Sequence, residues 1–163
     1  MVTHMTQRPS AFQREIKQTK PFPTREQEAA VALLRTADVL RRDIEAALKP
    51  YGISLQQYNV LRILRGARPA PLPTLEVAER MIEHAPGVTR LLDKIETRKL
   101  VRRERCREDR RRVLCSITPA GLELLRRLND PVIRAETRRL GRLEKAGIGK
   151  FLDALDRLRE ERD

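Results

Sequence analysis

The chain of 163 residues is poor in the side chains that build catalytic and metal centres, with two cysteines, two histidines and no tryptophan. Cys106 and Cys115 form neither a disulfide framework nor a C-x-x-C pair. Two histidines are too few for the usual metal ligand sets. The sequence also lacks a glycine-rich phosphate loop, a Gly-x-Ser-x-Gly motif and a His-Glu-x-x-His motif. It therefore predicts a protein that is not an enzyme and that needs no cofactor and no metal.

Long hydrophobic runs are absent as well. No apolar stretch approaches the ~18 residues of a membrane-spanning helix, and the first residues lack the apolar segment of a signal peptide. Aromatic residues make up only 3% of the chain, which argues against the stacking platforms of single-strand binders. These absences predict a cytoplasmic protein without a membrane partner.

Positive charge is what the chain has in excess. Lys and Arg number 35 against 23 Asp and Glu, a net charge of +12. Residues 86–112 hold eleven basic and five acidic residues, which is half of that excess in about a sixth of the chain. Lys and Arg displace counterions from phosphates, so nucleic acid is the expected partner.

Helix signals divide the first part of the chain. Residues 1–23 are polar, basic and contain three prolines, and they predict a flexible basic arm. A helix is expected to begin at Thr24, which forms a capping box with Gln27 and precedes an apolar stripe. A second helix is expected to begin at Ser54, with Gln57 completing the same box.

Two short helices and a hairpin are expected next. Thr74 is predicted to cap a third helix that extends through Met81 and Ile82, and a fourth is predicted to run from Pro86 to about Lys99. The periodicity then changes to that of strands at residues 100–106 and 113–117, which flank a charged turn and predict a β-hairpin.

The C-terminal part predicts two more helices. Thr118 and Pro119 begin a long leucine-rich helix, in which Pro131 should cause a kink or a break. The expected fold is therefore mostly α with a small β-hairpin wing, about six helices in all. Residues 54–118 form a winged helix-turn-helix DNA-binding domain in this interpretation.

In such a module the second helix of the pair enters the major groove with its N-terminal residues at base edges. Here that helix begins at Pro86 and exposes Thr89 and Arg90, which suit base contacts. Lys94 and Arg98 suit phosphate contacts.

The hairpin tip completes the predicted DNA-binding surface. Arg110, Arg111 and Arg112 suit a narrow minor groove, whose negative potential attracts arginine. Asp109 is unusual in a DNA-binding tip, and we expect its carboxylate to hold Arg111 in one pose.

Several stretches together resemble a known family. They are residues 77–80 (Val-Ala-Glu-Arg), 86–96 (Pro-Gly-Val-Thr-Arg-Leu-Leu-Asp-Lys-Ile-Glu), 100–103 (Leu-Val-Arg-Arg), 109–111 (Asp-Arg-Arg) and 117–121 (Ile-Thr-Pro-Ala-Gly). Over roughly residues 24–160 the chain resembles the MarR family of regulators. Lys99 is a departure, since the family usually has glycine there. Lys99 must adopt a left-handed backbone at some cost or end the helix differently.

The resemblance implies an assembly and a mechanism. It implies an intertwined homodimer through N- and C-terminal helices, at residues 24–53 and 119–163, that binds a palindromic double-stranded DNA operator. It further implies a sequence-specific transcriptional regulator, most simply a repressor, released by a small and often aromatic ligand in a cleft between the dimerising helices and the DNA-binding module.

Alternatives stay open at this stage. A non-specific nucleic-acid-binding protein also fits the charge, a cysteine-based redox-responsive regulator is a lesser alternative, and an enzyme or carrier with a vestigial winged fold is a third. Cys106 lies between two arginines, whereas Cys115 and Tyr58 are interpreted as core residues, and His84 as a surface residue. Asp93 either reads a cytosine or, as we prefer, pairs within its own helix.

Overall fold

A computed structural model describes residues 10–83 and 87–160 of the chain. The chain divides into two units, Met1–Leu40 and Arg41–Asp163. Most of the secondary structure, including the predicted DNA-binding module, belongs to the second unit.

The first unit contains helix α1 (Ala11–Glu15) and the beginning of helix α2 (Arg25–Leu48). Ser10 and Gln13 form a capping box at the start of α1, and the rings of Phe12 and Phe22 stack with their centroids 6.2 Å apart. A short capped helix thus lies within the segment that the sequence predicts to be a flexible arm.

After α2 the chain makes a 3₁₀ turn (Lys49–Tyr51) that ends at Gly52, whose φ of 63° is the left-handed conformation that glycine adopts without strain. Helix α3 (Leu55–Ala67) follows. The predicted capping box is present, because the Ser54 hydroxyl accepts from the Gln57 backbone and the Gln57 side chain accepts from the Ser54 backbone.

A small antiparallel sheet contains three strands in the order β1-β3-β2: β1 (Leu72–Pro73), β2 (Val101–Arg105) and β3 (Val113–Ile117). The predicted hairpin is confirmed, with Val101 opposite Ile117 and Arg105 opposite Val113. The proline-rich loop adds the third strand, since Leu72 pairs with Cys115 and is buried.

Helix α4 (Thr74–Glu79) is shorter than predicted and is not capped by Thr74. Pro73 occupies the capping position, while the Thr74 hydroxyl donates to the Val113 carbonyl at 3.3 Å. Thr74 therefore ties the helix to β3. Met81 and Ile82 were expected inside this helix and instead follow its end.

Three further helices complete the chain: α5 (Val88–Thr97), α6 (Pro119–Leu140) and α7 (Lys145–Arg159). Of the kink or break predicted at Pro131, the break is wrong, because α6 continues through that residue; the kink stays a prediction. Pro131 removes one helical hydrogen bond, but Leu128 and Val132 on either side are buried. Their packing holds both turns against the core.

One apolar core lies beneath the module. Its largest fully buried side chains come from several helices and one strand: Leu48, Leu61, Leu64, Leu92, Ile95, Leu128, Val60, Val77, Val132 and Cys115. The mostly α fold with a small β-wing is confirmed, and the described residues contain seven α-helices where about six were expected. No helix in the described ranges is long and apolar enough to cross a membrane.

Candidate nucleic-acid interface

Helix α5 has one buried and one exposed face. Val88, Leu92 and Ile95 are buried in the core, as their three- and four-residue spacing predicts. On the opposite face Thr89, Arg90 and Lys94 are exposed. The residues predicted to meet DNA from this helix thus lie on its solvent side. Pro86, which was predicted to begin the helix, lies outside the described residues.

The chain enters α5 through Gly87, which has a φ of 106°. Side chains other than glycine rarely adopt this backbone, so Gly87 determines the entry angle of the helix. Among the residues that the structure describes, no side chain caps this end. The first backbone N–H groups of α5 can therefore donate hydrogen bonds to an anionic group.

The wing tip is built as a tight turn around Asp109. Its carboxylate accepts from the Arg111 backbone N–H at 3.0 Å, and its carbonyl accepts from the Arg112 N–H at 2.9 Å. The structure thus differs from the expectation that the carboxylate holds the Arg111 side chain. Asp109 shapes the backbone instead, and Arg110, Arg111 and Arg112 are all exposed at the tip.

Arg103 fastens the wing to α5. Its backbone N–H and its Nε donate to the two oxygens of Glu96 at 2.9 and 2.8 Å, and its Nη2 lies 2.5 Å from the Asp93 carboxylate. These carboxylates raise the pKa of Arg103, with the Glu96 hydrogen bond as the largest cause. The expectation that Asp93 pairs within its own helix is therefore wrong, because its partner is on β2.

A groove brings the two DNA-binding elements together. Thr89 of α5 and Arg111 and Arg112 of the wing line the same groove, together with Arg103 and residues of α4. The groove also contains Leu75, which is 72% exposed. Thr89 at the start of α5 and two arginines of the wing tip thus border the same space. Arg90 and Lys94 are exposed on α5 but do not line this groove.

Arg98, which the sequence predicts to contact phosphate, has hydrogen-bond partners within the protein. Its guanidinium nitrogens donate to the Gly52 carbonyl at 2.6 Å and to the Tyr51 carbonyl at 3.2 Å. Next to it Lys99 has a φ of 59°, so this lysine does adopt the left-handed backbone. A left-handed residue with a side chain costs about 1 kcal/mol or more.

The Thr-Pro-x-Gly segment connects α6 to the same region. The Thr118 hydroxyl donates to the Lys99 carbonyl at 2.7 Å and accepts from the Gly121 N–H at 3.1 Å. A β-carbon on Gly121 would lie 2.3 Å from the Leu100 carbonyl oxygen. Sequence reasoning identified this motif as a helix start and missed its role in holding the junction between α5 and β2.

The two cysteines occupy different environments. Cys115 is fully buried, with its Sγ 3.5 Å from the Thr74 hydroxyl, and burial raises the pKa of its thiol. Cys106 is half-buried at the edge of the wing. Tyr58 is also buried, and both assignments of Cys115 and Tyr58 to the core are confirmed. His84 lies outside the described residues.

A small cavity of about 80 Å³ lies beside the module. Its lining comes from Arg41 and Glu45 of α2, from α3 and from Met81–Glu83 after α4. In residues 10–83 and 87–160, no group of three or more His, Cys, Asp or Glu side chains is arranged to hold a metal ion.

Comparison with known proteins places this geometry in a family. Residues 51–112 match the model of the MarR family. The crystal structure of a MarR transcription factor from Planctomyces limnophilus is 39% identical and covers 85% of this chain and 97% of its own, with a TM-score of 0.65. The HTH-type transcriptional repressor Rv2887 of Mycobacterium tuberculosis is 29% identical over 77% of this chain and 89% of its own length.

The fold also matches that of the S. aureus MepR–DNA complex, which is 19% identical, covers 79% of this chain and 94% of its own, and has a TM-score of 0.72. With a relative that is 39% identical over nearly its full length, and with the family's winged module between residues 51 and 112, the chain belongs to the MarR family of winged helix-turn-helix transcriptional regulators.

Proposed function

We propose that two copies of this protein bind a palindromic double-stranded DNA operator and repress transcription until a small ligand releases them. The observation that carries the proposal is the shared groove, in which Thr89 of α5 and Arg111 and Arg112 of the wing face the same space. A duplex lying along this surface meets a helix that fits its major groove and a basic tip that fits the adjacent minor groove.

The helix supplies the base contacts in this proposal. Thr89 and Arg90 are exposed in the first turn of α5, where a recognition helix approaches base edges. Arginine pairs bidentately with guanine, and threonine contacts a base edge or a thymine methyl. Lys94 lies one turn further on and binds phosphate, which positions the helix without reading sequence. Pro86 is proposed to begin this surface.

The wing supplies the minor-groove contact. Arg110, Arg111 and Arg112 project from a turn that Asp109 closes through backbone hydrogen bonds. Because the turn is ordered before binding, less conformational entropy is lost when the arginines enter the groove. Asp109 therefore contributes to binding through the shape of the turn.

Exposed apolar residues support the homodimer. Leu34 on α2 is 72% exposed, and on α6 and α7 Ile133 is 49%, Leu152 54% and Leu158 71% exposed. Side chains of this size gain about 2 kcal/mol each when they are buried. We propose that residues 24–53 and 119–163 bury them between two subunits. The two α5 helices would then lie about one DNA turn apart, roughly 34 Å.

The cavity beside α2 and α3 is the proposed ligand site. Its volume of about 80 Å³ is smaller than the ~150 Å³ of a cavity that accepts a benzene ring. An aromatic ligand must therefore widen it and displace Met81–Glu83 or α2. Because Met81–Glu83 precede α5 in the chain, a widened cavity favours another placement of α5 and shifts the dimer away from the DNA-binding state.

Fluorescence anisotropy with a labelled duplex from upstream of the protein's own gene tests the DNA-binding part. Binding should survive excess random DNA and RNA, and should weaken steeply with salt. The variant Arg111→Ala should reduce the salt slope by about one per subunit. The matched control Arg126→Ala removes the same charge from α6, where Arg126 pairs with Glu123, and should bind as the wild type does.

If excess random DNA or RNA displaces the labelled duplex, the result contradicts the proposal and favours a non-specific nucleic-acid-binding protein. Equal effects of Arg111→Ala and Arg126→Ala would also contradict it, because they would show that only the total charge matters. Ligand release is tested separately, by adding small aromatic acids to the preformed complex and following the anisotropy.

A further inference from the structure

The C-terminal end of α5 is held by a contact that spans 46 residues of sequence. Arg98 is the residue that ends this helix, and its guanidinium forks across two carbonyls, those of Tyr51 and Gly52. The two carbonyls lie at the end of the 3₁₀ turn. Carbonyls at a helix end have no hydrogen-bond partner within the helix and carry partial negative charge. A guanidinium supplies both the hydrogen-bond donors and the positive charge that such carbonyls attract.

The acceptor side of this contact is itself anchored. The Tyr51 ring lies beneath the guanidinium of Arg127 of α6, with 5.4 Å from the guanidinium carbon to the ring centroid. Tyr51 also packs against the apolar core. Gly52 is held in its left-handed conformation by a hydrogen bond from its N–H to the Lys49 carbonyl at 3.0 Å. Arg98 thus binds to a turn that α6 and the apolar core keep in place.

Arg103 makes the corresponding contact on the other side of the helix. It joins α5 to the wing through Glu96 and Asp93, whereas Arg98 joins α5 to the turn between α2 and α3. The exposed residues Thr89 and Arg90 lie in the other half of the helix. The internal contacts therefore lie in the C-terminal half of α5, whereas the proposed base contacts lie in its first turn.

We propose that Arg98 is a positioning residue, which sets the angle of the recognition helix against the turn between α2 and α3 instead of binding a DNA phosphate. The fork engages both terminal nitrogens of the guanidinium and fixes them against the turn, so a DNA phosphate could reach only the three N–H donors that remain. The role rests on the DNA binding proposed above, since a helix is positioned for the operator that it reads.

Two variants of Arg98 separate positioning from phosphate binding. Arg98→Lys keeps the charge, so a phosphate contact would survive, but a lysine ammonium lacks the planar fork that reaches two carbonyls. Arg98→Gln removes the charge as well. Affinities for the operator duplex and for random duplex are measured at several salt concentrations. Lys94→Gln is the matched control, because it removes a charge from the exposed face of the same helix.

Positioning predicts that both Arg98 variants lose operator affinity by about fivefold or more, as is typical of coupled sites. Their affinity for random duplex should change little, and Arg98→Lys should keep the wild-type salt slope. Hydrogen exchange of the α5 amides in the free protein should become faster in both. The control Lys94→Gln should lower the salt slope by about one per subunit and leave the preference for the operator intact.

A phosphate contact predicts the opposite pattern and would overturn the proposal. Arg98→Lys would then bind like the wild type, and Arg98→Gln would lower the salt slope as Lys94→Gln does. If the wild-type protein binds the operator duplex and random duplex with equal affinity, the proposed function itself fails. This failure is seen in the wild type, before any variant is compared. Faster amide exchange would in that case report a structural contact only, and the positioning role would be refuted.

Discussion

Replacing Gly121 with alanine tests how closely α6 approaches the junction between α5 and β2. Gly121 lies in the first turn of α6, and a β-carbon built on it would be 2.3 Å from the Leu100 carbonyl oxygen and 2.7 Å from the Ile117 side chain. Ordinary contacts of a β-carbon begin at 3.4 Å. The added methyl group therefore requires α6 and Leu100 to separate by about 1 Å.

The size of the effect follows from what opposes this separation. Leu124, Leu125 and Leu128 hold the next turns of α6 in the core, and the Thr118 hydroxyl holds its start to the Lys99 carbonyl. Overpacking at such a site costs about 1 to 3 kcal/mol, and the backbone oxygen has little room to move. Alanine recovers up to about 1 kcal/mol of helix propensity. The net loss should be about 2 kcal/mol.

Thermal and urea unfolding at one fixed protein concentration measure this loss, because the stability of a dimer depends on concentration. A loss of about 2 kcal/mol lowers the Tm of a chain of this size by about 4 to 8 °C. Gly66→Ala is the matched control. Gly66 lies within α3 with nothing within 4 Å of its β-carbon position, so alanine there should stabilise the protein by up to about 1 kcal/mol.

Gly121→Ala should also weaken DNA binding at temperatures well below the Tm, where the variant is still folded. Leu100 connects α5 to β2, so a shift of Leu100 changes the placement of the wing relative to the helix. If Gly121→Ala proves as stable as Gly66→Ala, then α6 can move away from Leu100 at little cost. The close contact between Gly121 and Leu100 would then not hold the junction between α5 and β2. An unchanged operator affinity in a destabilised variant would refute the link to the wing.

Three further substitutions or treatments have expected outcomes. Lys99→Gly relieves a left-handed lysine and should raise the free energy of unfolding by up to about 1 kcal/mol, whereas Lys94→Gly inside α5 should lower it by about 1 kcal/mol; equal effects in urea unfolding would argue against strain. A hydrogen bond from Arg139 of α6 is the chief cause that lowers the pKa of Asp43. The ionised Asp43 therefore stabilises the folded protein above about pH 4, and this contribution is lost as the pH falls further. The stability gap between wild type and Asp43→Asn should narrow over that range, and a constant gap would contradict the assignment. Burial raises the pKa of the Cys115 thiol, so in a thiol titration Cys106 should react first and Cys115 only on unfolding; two fast equivalents would contradict this.

Local patterns predicted the elements that make up the DNA-binding surface. The three- and four-residue spacing of Val88, Leu92 and Ile95 identified the buried face of α5 and, by exclusion, its exposed face. The change to strand periodicity at residues 100–106 and 113–117 identified the hairpin, whose strands are Val101–Arg105 and Val113–Ile117. These predictions held because they depend on periodicity within one element.

Predictions that depended on contacts between elements were less successful. Thr74 has the side chain of a helix cap, but β3 offers a carbonyl that no neighbour in sequence reveals. Asp93 was assigned a partner within its own helix, although Arg103 of β2 lies within reach. Pro131 is a helix breaker by local rules, and the packing of its neighbours in the core overrides those rules.

Family, fold class and the chemical nature of the surface were thus already contained in the sequence, because charge, periodicity and turn residues act over a few positions of the chain. The tertiary structure alone decided which of the basic residues face outward together. It placed Thr89 beside Arg111 and Arg112 in one groove and directed Arg98 to the carbonyls of Tyr51 and Gly52. Arg98 and Arg111 of the same basic segment therefore have different surroundings. The packing of the whole domain decides which groups come within reach of each side chain.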